Sequence, residues 1–270
     1  MATPRQQHHG FTLIELIAVI VVLAILASIG TGFVVKTTES YQRTQTRALL
    51  VNTGRQALER MTRQLRVALP YSVRITNSGQ CIEFMPIAAG GNYIDGNPAT
   101  SSFPDPVPDS NNNAPVTGQI TVAPHVISTS FGNPLHVTIG ALNADEIYVS
   151  PYVSRADYNS TSTNVLLQLV TPKRWQRNSI NKRFYLLTDP QAFCLVGSEL
   201  HFYSGIPITS GSVPVGVNPS IIARNVTATT PFTLQMGSEN RNTRINFSLN
   251  FTSGDETIAY TQGVLIRNVP

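Results

Sequence analysis

The chain has 270 residues, of which 41% are hydrophobic and only 13% are charged, whereas an average globular domain has about 25% charged residues. This length allows one large domain or two small ones, each with a real core. The low charge and the many Asn, Thr and Ser residues favour an exported, β-rich protein and argue against a cytosolic enzyme.

The formal net charge of +4 is unevenly distributed. Six arginines fall in one stretch with helical spacing: Arg43, Arg47, Arg55, Arg60, Arg63 and Arg66. Neither interleaved aromatic residues nor a nucleic-acid motif accompanies them. We therefore expect a solvated helix face, or one beside a membrane, and no nucleic acid among the partners.

Residues 1–10 are polar and mildly basic, and a long apolar run follows them. The segment from Leu16 to Val35 carries no charge, and it matches the ~20 residues that a helix needs to cross about 30 Å of hydrocarbon. Because the positive charge precedes the run, the N-terminus should stay in the cytoplasm while the rest is translocated. The run is too long for an ordinary secretory signal peptide, so an uncleaved single-pass anchor is the stronger alternative.

One acidic residue, Glu15, lies inside the apolar run. An ionisable side chain in a membrane span costs on the order of 2–3 kcal/mol even on insertion scales, and such residues usually have a partner or a purpose. Glu15 could instead lie shallow and extend to the interface without any role. Neither a signal peptide nor a plain anchor explains it.

Residues 10–16, with the sequence GFTLIEL, follow a basic leader and open the apolar helix. This combination resembles the processing site of type IV prepilins and of type II secretion pseudopilins. The resemblance implies that a membrane-embedded prepilin peptidase cuts after Gly10 and methylates the new N-terminal residue, Phe11. It also implies other partners, namely major and minor pilins, an inner-membrane assembly platform and membrane lipid.

The physical chemistry of these residues agrees with those roles. A small residue at Gly10 lets a peptidase approach the backbone closely. Cleavage frees an α-amine with a pKa near ~7.7–8. When helices stack side by side with an axial stagger, Glu15 of one chain can meet this amine of a neighbour, and two half-buried charges that pair are better off than either alone. We expect Glu15 to act in assembly and register, not in catalysis.

Helical spacing continues from Lys36 to Leu69, where Pro70 ends it. One apolar stripe recurs at steps of three or four residues, which predicts a core-facing side: Val51, Gly54, Leu58, Met61, Leu65 and Leu69. Earlier in the helix, Gly30 and Gly32 suggest either local melting during assembly or plain tolerance within a membrane.

Strands are predicted after Pro70. Tyr71–Thr76 and Gln80–Ile87 form a hairpin whose turn is Asn77-Ser78-Gly79, and the Gly-, Asn- and Pro-rich segment 88–134 is predicted to be a long surface loop. Further short strands are predicted at Leu135–Ile139, Glu146–Val149, Val165–Val170, Phe184–Leu187, Phe193–Val196, Leu200–Tyr203, Ile221–Val226 and Phe232–Met236. The alternation of apolar and polar residues from Ile245 to Phe251 predicts a strand with one buried face. Residues 257–268 are predicted to form a closing strand or a pair of strands.

The predicted fold class is α+β and pilin-like. A long N-terminal helix, transmembrane in its first half, packs on an antiparallel β-sheet head that leaves room for a second small sheet. The domains are a leader at 1–10, a transmembrane and assembly half of the helix at 11–35, an amphipathic half at 36–69 and a periplasmic head at 70–270.

The two cysteines, Cys81 and Cys194, are expected to form one disulfide if the head is exported, and two buried free thiols are the alternative. His125, His136 and His201 are isolated, with no metal-ligand spacing. Trp175, beside Lys173, Arg174 and Arg177, is either a half-buried anchor or part of a contact loop. We find no motif for catalysis, for a cofactor or for a metal, so we expect no enzyme.

Two segments point to a particular group within this family. They are NTGRQALERMTRQLRVALPYSVRI, which starts at Asn52, and the terminal IRNVP. They are similar to minor pseudopilins of the mannose-sensitive haemagglutinin (MSHA) pilus system, and also to the larger J-type minor pseudopilins of type II secretion. This implies a single-pass protein of the bacterial inner membrane with a periplasmic head, which later enters a pilus or pseudopilus. The alternative function is a tip adhesin that binds a surface or glycan.

Overall fold

The computed structural model describes residues 11–94, 116–179, 181–208, 211–216, 219–237 and 242–267. Its first element is the helix α1 (Leu13–Leu65), which continues through Gly30 and Gly32 in helical conformation. The helix was predicted to run to Leu69, but it ends at Leu65. The N–H groups of Val67 and Ala68 already bond three residues back, and that of Leu69 donates to the carbonyl oxygen of Met85 at 2.9 Å. Pro70 opens a single 3₁₀ turn.

The described residues after α1 form fifteen strands, one short α-helix, the 3₁₀ turn at Pro70 and a second 3₁₀ turn at Asn77–Gly79. In chain order the strands and the α-helix are β1 (Arg74–Thr76), β2 (Cys81–Phe84), β3 (Ile87–Asn92), β4 (Thr117–Thr121), β5 (His136–Ile139), α2 (Asp145–Tyr148), β6 (Arg155–Asp157), β7 (Leu166–Lys173), β8 (Arg183–Leu187), β9 (Gln191–Val196), β10 (Glu199–Tyr203), β11 (Ser220–Arg224), β12 (Val226–Thr227), β13 (Phe232–Gln235), β14 (Thr243–Ser253) and β15 (Glu256–Ile266).

Two antiparallel sheets enclose the core that contains the end of α1. One has the strand order β1-β2-β9-β10-β11, and in the other β14 pairs with β12, β13 and β15. Leu58, Met61 and Leu65 of the helix are buried in the same apolar cluster as Phe193 and Phe247 of these sheets. The predicted stripe therefore faces the core, as its 3–4 residue spacing requires.

A second apolar core lies in the segment between β2 and β9. A sheet of order β3-β8-β5-β6 and the pair β4-β7 bury Trp175, Phe184 and Leu186. From the sequence we predicted at most one small additional sheet. The structure instead has this larger unit with a core of its own, which we call the inserted subdomain (87–187). With α1 and the antiparallel sheets, the fold is α+β and pilin-like, which confirms the predicted class.

The segment 88–134 differs from the predicted loop. Among the described residues of this segment, the first ones belong to β3, which runs to Asn92, and β4 lies at Thr117–Thr121. The sequence AAGGN in β3 has low strand propensity, but Gly90 and Gly91 lie opposite Tyr185 and Phe184 of β8, whose rings occupy the space that a Cβ would need. Pairing with β8 therefore decides the local structure, and propensity does not.

One other local prediction was wrong and one was confirmed. Residues 146–149 were predicted to be a strand, but α2 replaces it, because Asn143 Oδ1 accepts from the N–H of Glu146 at 3.2 Å and the Glu146 carboxylate accepts from the N–H of Leu142 at 3.1 Å. The Asn143 bond satisfies a free N–H at the start of the turn, which favours helix, and the Glu146 bond goes to Leu142 and not to Asn143, as a capping box would require. The predicted hairpin is confirmed, with Thr76 paired to Cys81 across its turn.

Candidate functional site

The helix begins within two residues of the predicted cleavage point. Gly10 lies outside the described residues, and Phe11, the predicted methylated residue, is 80% exposed. The carbonyl oxygen of Thr12 accepts from the N–H groups of Glu15 at 3.1 Å and of Leu16 at 3.2 Å, and the Thr12 hydroxyl also accepts from the Glu15 N–H at 3.4 Å. Glu15 thus occupies the first helical turn, where a negative side chain suits the helix dipole.

The first half of α1 is apolar on all sides. Every residue from 11 to 35 is exposed, including Ile20, Leu26 and Phe33. Among the described residues, α1 is the one helix long and apolar enough to cross a membrane. By length and composition the helix is consistent with a membrane-anchored pilin.

The hydroxyl groups of this half are satisfied within the helix. Ser28 Oγ donates to the carbonyl oxygen of Ile25 at 2.9 Å, and Thr31 Oγ1 donates to that of Ala27 at 2.8 Å. Such back-bonding removes free donors from an apolar environment. Glu15 differs, because its side chain has no hydrogen-bond or ion-pair partner among the residues that the structure describes. Of the polar side chains at residues 13–35, it is therefore the one that still needs a partner.

The two cysteines lie opposite each other in the first sheet. Cys81 of β2 and Cys194 of β9 are paired in register, and the structure joins them in a disulfide across 113 residues of sequence. Both residues are fully buried. The disulfide therefore ties the second strand of the first hairpin to a strand that follows the inserted subdomain.

Two of the three histidines singled out in the sequence, His136 and His201, have acidic neighbours that the sequence did not reveal. His136 Nδ1 lies 2.9 Å from Asp157 Oδ1 and 2.9 Å from a guanidinium nitrogen of Arg155. Burial, and then the charge of Arg155, lower the pKa of His136. His201 Nε2 lies 2.9 Å from Glu199 Oε2. The sequence predicted neither contact. His136 and Asp157 lie opposite each other on two paired strands, and Glu199 and His201 lie on one strand. Such contacts become visible only once the register of the sheets is known.

Trp175 is not half-buried: it is 1% exposed and belongs to the core of the inserted subdomain. Lys173 Nζ lies 5.5 Å from the centre of its ring. Across the described ranges, no group of three or more His, Cys, Asp or Glu side chains is placed to hold a metal ion.

The comparisons with known proteins point to the N-terminus. Residues 5–31 match the family model described as the prokaryotic N-terminal methylation motif. Neither the curated proteins nor the solved structures give a significant match to the chain. The motif implies processing by a prepilin peptidase and assembly with other pilins, and it suggests a structural protein more than a catalytic one. With the apolar helix that follows, this match supports a type IV prepilin-like class for the chain.

Proposed function

We propose that this chain is a minor pseudopilin of an MSHA-like type IV pilus, most similar to the MshO type. Prepilin peptidase removes residues 1–10 after Gly10 and methylates Phe11. The chain, held in the bacterial inner membrane with its head in the periplasm, then takes part in the initiation of pilus assembly, at the step that builds the filament tip. The observation that carries this proposal is the methylation motif at residues 5–31, followed by a fully exposed apolar helix.

The role of Glu15 follows from its isolation. The described residues provide no partner for its carboxylate, although the nearby hydroxyl groups all bond within the helix. A charge in an apolar layer is stabilised most by an opposite charge. The methylated amine of Phe11 on an adjacent subunit supplies this charge, so the pair also fixes the axial register between two helices.

The size of the head supports a low-copy position at the tip. A repeating filament shaft packs identical subunits closely, and the inserted subdomain adds a second core to the head. Such an addition would crowd neighbours in every repeat of a shaft. At a tip it meets neighbours on fewer sides.

Mass spectrometry of the mature N-terminus tests processing. In cells with an active prepilin peptidase, we expect a chain that starts at N-methylated Phe11, and we expect a Gly10→Leu variant to keep its leader. Recovery of the wild-type chain with residues 1–10 still attached would contradict the proposal.

A second experiment tests the assembly role of Glu15. We expect a Glu15→Gln variant to be inserted and processed but to be depleted from purified filaments by about tenfold or more, the effect of ~1.4 kcal/mol or more per contact. Glu39→Gln is the matched control, because Glu39 is an exposed acid on the same helix beyond the apolar run. Equal incorporation of both variants would remove the proposed pairing. If gold particles that label the head were found along the filaments and not at their ends, the proposed tip position would be wrong.

A further inference from the structure

The inserted subdomain contains a small polar cavity between β6 and β7. Its volume is about 210 Å³, and its charged lining residues are Arg155, Asp157 and Lys173. Pockets for drug-sized ligands measure about 300–1,000 Å³, so this one suits a single small ring or side chain. It lies far along the chain from the N-terminal motif and has no part in the processing proposed above.

Arg155 is built into the wall of this cavity. It is only 5% exposed, and its guanidinium lies over the ring of Tyr152, 4.1 Å from the ring centre. One terminal nitrogen donates to Asp157 Oδ1 at 3.0 Å, whereas Nε is buried and has no partner among the described residues. Nε is enclosed by the protein and out of reach of a ligand, so Arg155 contributes to the cavity as a fixed positive charge in its wall.

Lys173 adds a second positive charge to the same cavity. Its ammonium donates to the carbonyl oxygen of Tyr152 at 2.6 Å, which uses one of the three donors of a lysine. Burial, and then the charge of Arg155, lower the pKa of Lys173. The two cations therefore repel each other in a partly desolvated place.

The charges of the lining do not balance. Asp157 is the one carboxylate among the residues that line the cavity, and its side chain is 59% exposed. The lining therefore holds two cations and one carboxylate, so one positive charge remains without compensation within it. A ligand with a single negative charge would balance it, and a neutral or zwitterionic ligand would not.

The lining also has groups that recognise hydroxyls. The Asp157 carboxylate accepts hydrogen bonds only, so it repels a bare anion but accepts from ligand hydroxyl groups. Thr171 contributes an exposed hydroxyl. The cavity thus pairs a cationic side with an acceptor side, which matches a molecule that carries one carboxylate and several hydroxyls.

We propose that the cavity formed by Tyr152, Arg155, Asp157, Thr171 and Lys173 is a binding site for an acidic sugar unit of the hexuronic acid class. The carboxylate of the sugar meets Arg155 and Lys173, and its hydroxyls donate to Asp157. This site goes beyond the assembly role and does not depend on it.

Ligand-observed saturation-transfer NMR tests this site on the full chain in a non-ionic, sugar-free detergent at low salt. We expect galacturonate to bind with a Kd of about 1 mM and galactose to bind at least about tenfold more weakly. No galacturonate signal up to about 20 mM would overturn the proposal. Equal binding of galactose would overturn the role of the two cations, and equal binding of acetate or glycine would overturn the assignment to a sugar acid.

Two variants with a matched control locate the binding. Lys173→Gln should weaken galacturonate binding by about tenfold, whereas Arg174→Gln, which removes the same charge from the exposed neighbouring residue outside the lining, should not change it. Asp157→Asn should lower the affinity for galacturonate relative to acetate. An equal loss in the Lys173 and Arg174 variants would show a general charge effect and overturn the site, and an unchanged ratio in the Asp157 variant would overturn the hydroxyl contacts.

Discussion

The two ends of α1 follow different hydrophobic patterns. Residues 13–35 are apolar on every side, and all of them are exposed in the chain. Residues 50–65 have one apolar stripe, which is buried against the two sheets around Leu58 and Met61, and a charged opposite side that includes Arg55 and Arg63. One continuous helix thus carries two kinds of surface.

This difference shows which part of the helix needs something outside its own chain. An amphipathic helix is complete once its stripe meets a core. A helix that is apolar all round is stable only within lipid or among other helices. The second end therefore serves the fold of the head, while the first end is the part proposed above to anchor and assemble the chain. Substitutions in the second end should change the stability of the head, whereas substitutions in the first end should leave it nearly unchanged.

The disulfide gives the largest expected effect. Its loss in a Cys81→Ala, Cys194→Ala double variant should lower the free energy of unfolding of the head by ~4–5 kcal/mol in the chain-entropy model, because the bond closes a loop of 113 residues. Urea unfolding of the full chain in detergent, followed by circular dichroism, measures this. The helical signal of residues 13–35 should persist after the head unfolds. Unchanged urea midpoints with and without reductant would contradict the expectation.

Truncation of one apolar residue in each end compares them directly. Met61→Ala should cost about 3 kcal/mol, in the usual range for a large buried side chain, because Met61 is 0% exposed. Leu23→Ala should leave head stability within about 0.5 kcal/mol, because Leu23 is 57% exposed. The same urea titration serves both variants. A comparable loss in the Leu23 variant would show that the first end also supports the head.

The sequence predicted the helix and its buried stripe well because a 3.6-residue period is a local property. Leu58, Met61 and Leu65 were found from spacing alone. The alternating strand β14 was equally clear, with Phe247, Leu249 and Phe251 all on one buried face. Both patterns repeat often enough to exceed the noise of single residues.

The inserted subdomain was predicted poorly because its contacts are distant in sequence. The glycines of β3 take strand conformation only through their pairing with β8. The three-residue strand β6, which carries Arg155 and Asp157, is too short to show a period and was missed. Of the N-terminal site, the motif specified Gly10, Phe11 and Glu15, but a partner on another subunit leaves no trace within one chain.

Glycines in the two ends offer a sharper comparison with a smaller effect. A Cβ at Gly54 would clash with the ring of Tyr260, so Gly54→Ala should cost about 1–3 kcal/mol by overpacking. Apart from the nearby backbone of the helix itself, no atom of the described residues lies within 4 Å of a Cβ at Gly30, so Gly30→Ala should be neutral or should stabilise the helix by up to ~1 kcal/mol. Thermal unfolding in detergent gives both values. A destabilised Gly30 variant would mean that the first end is closely packed already in the isolated chain.

The smallest effect concerns the hydrogen bond that fastens the second end to β15. Tyr260 Oη donates to the carbonyl oxygen of Val51 at 3.0 Å. Tyr260→Phe keeps the ring against Gly54 and removes only this donor, so it should cost about 1 kcal/mol. Tyr41→Phe is the control, because Tyr41 is 63% exposed and should change stability by less than about 0.5 kcal/mol. In the Gly54→Ala background, Tyr260→Phe should lower the free energy of unfolding by less, because the displaced ring no longer reaches Val51. If the costs of the two substitutions were strictly additive, the ring and the hydroxyl would act independently.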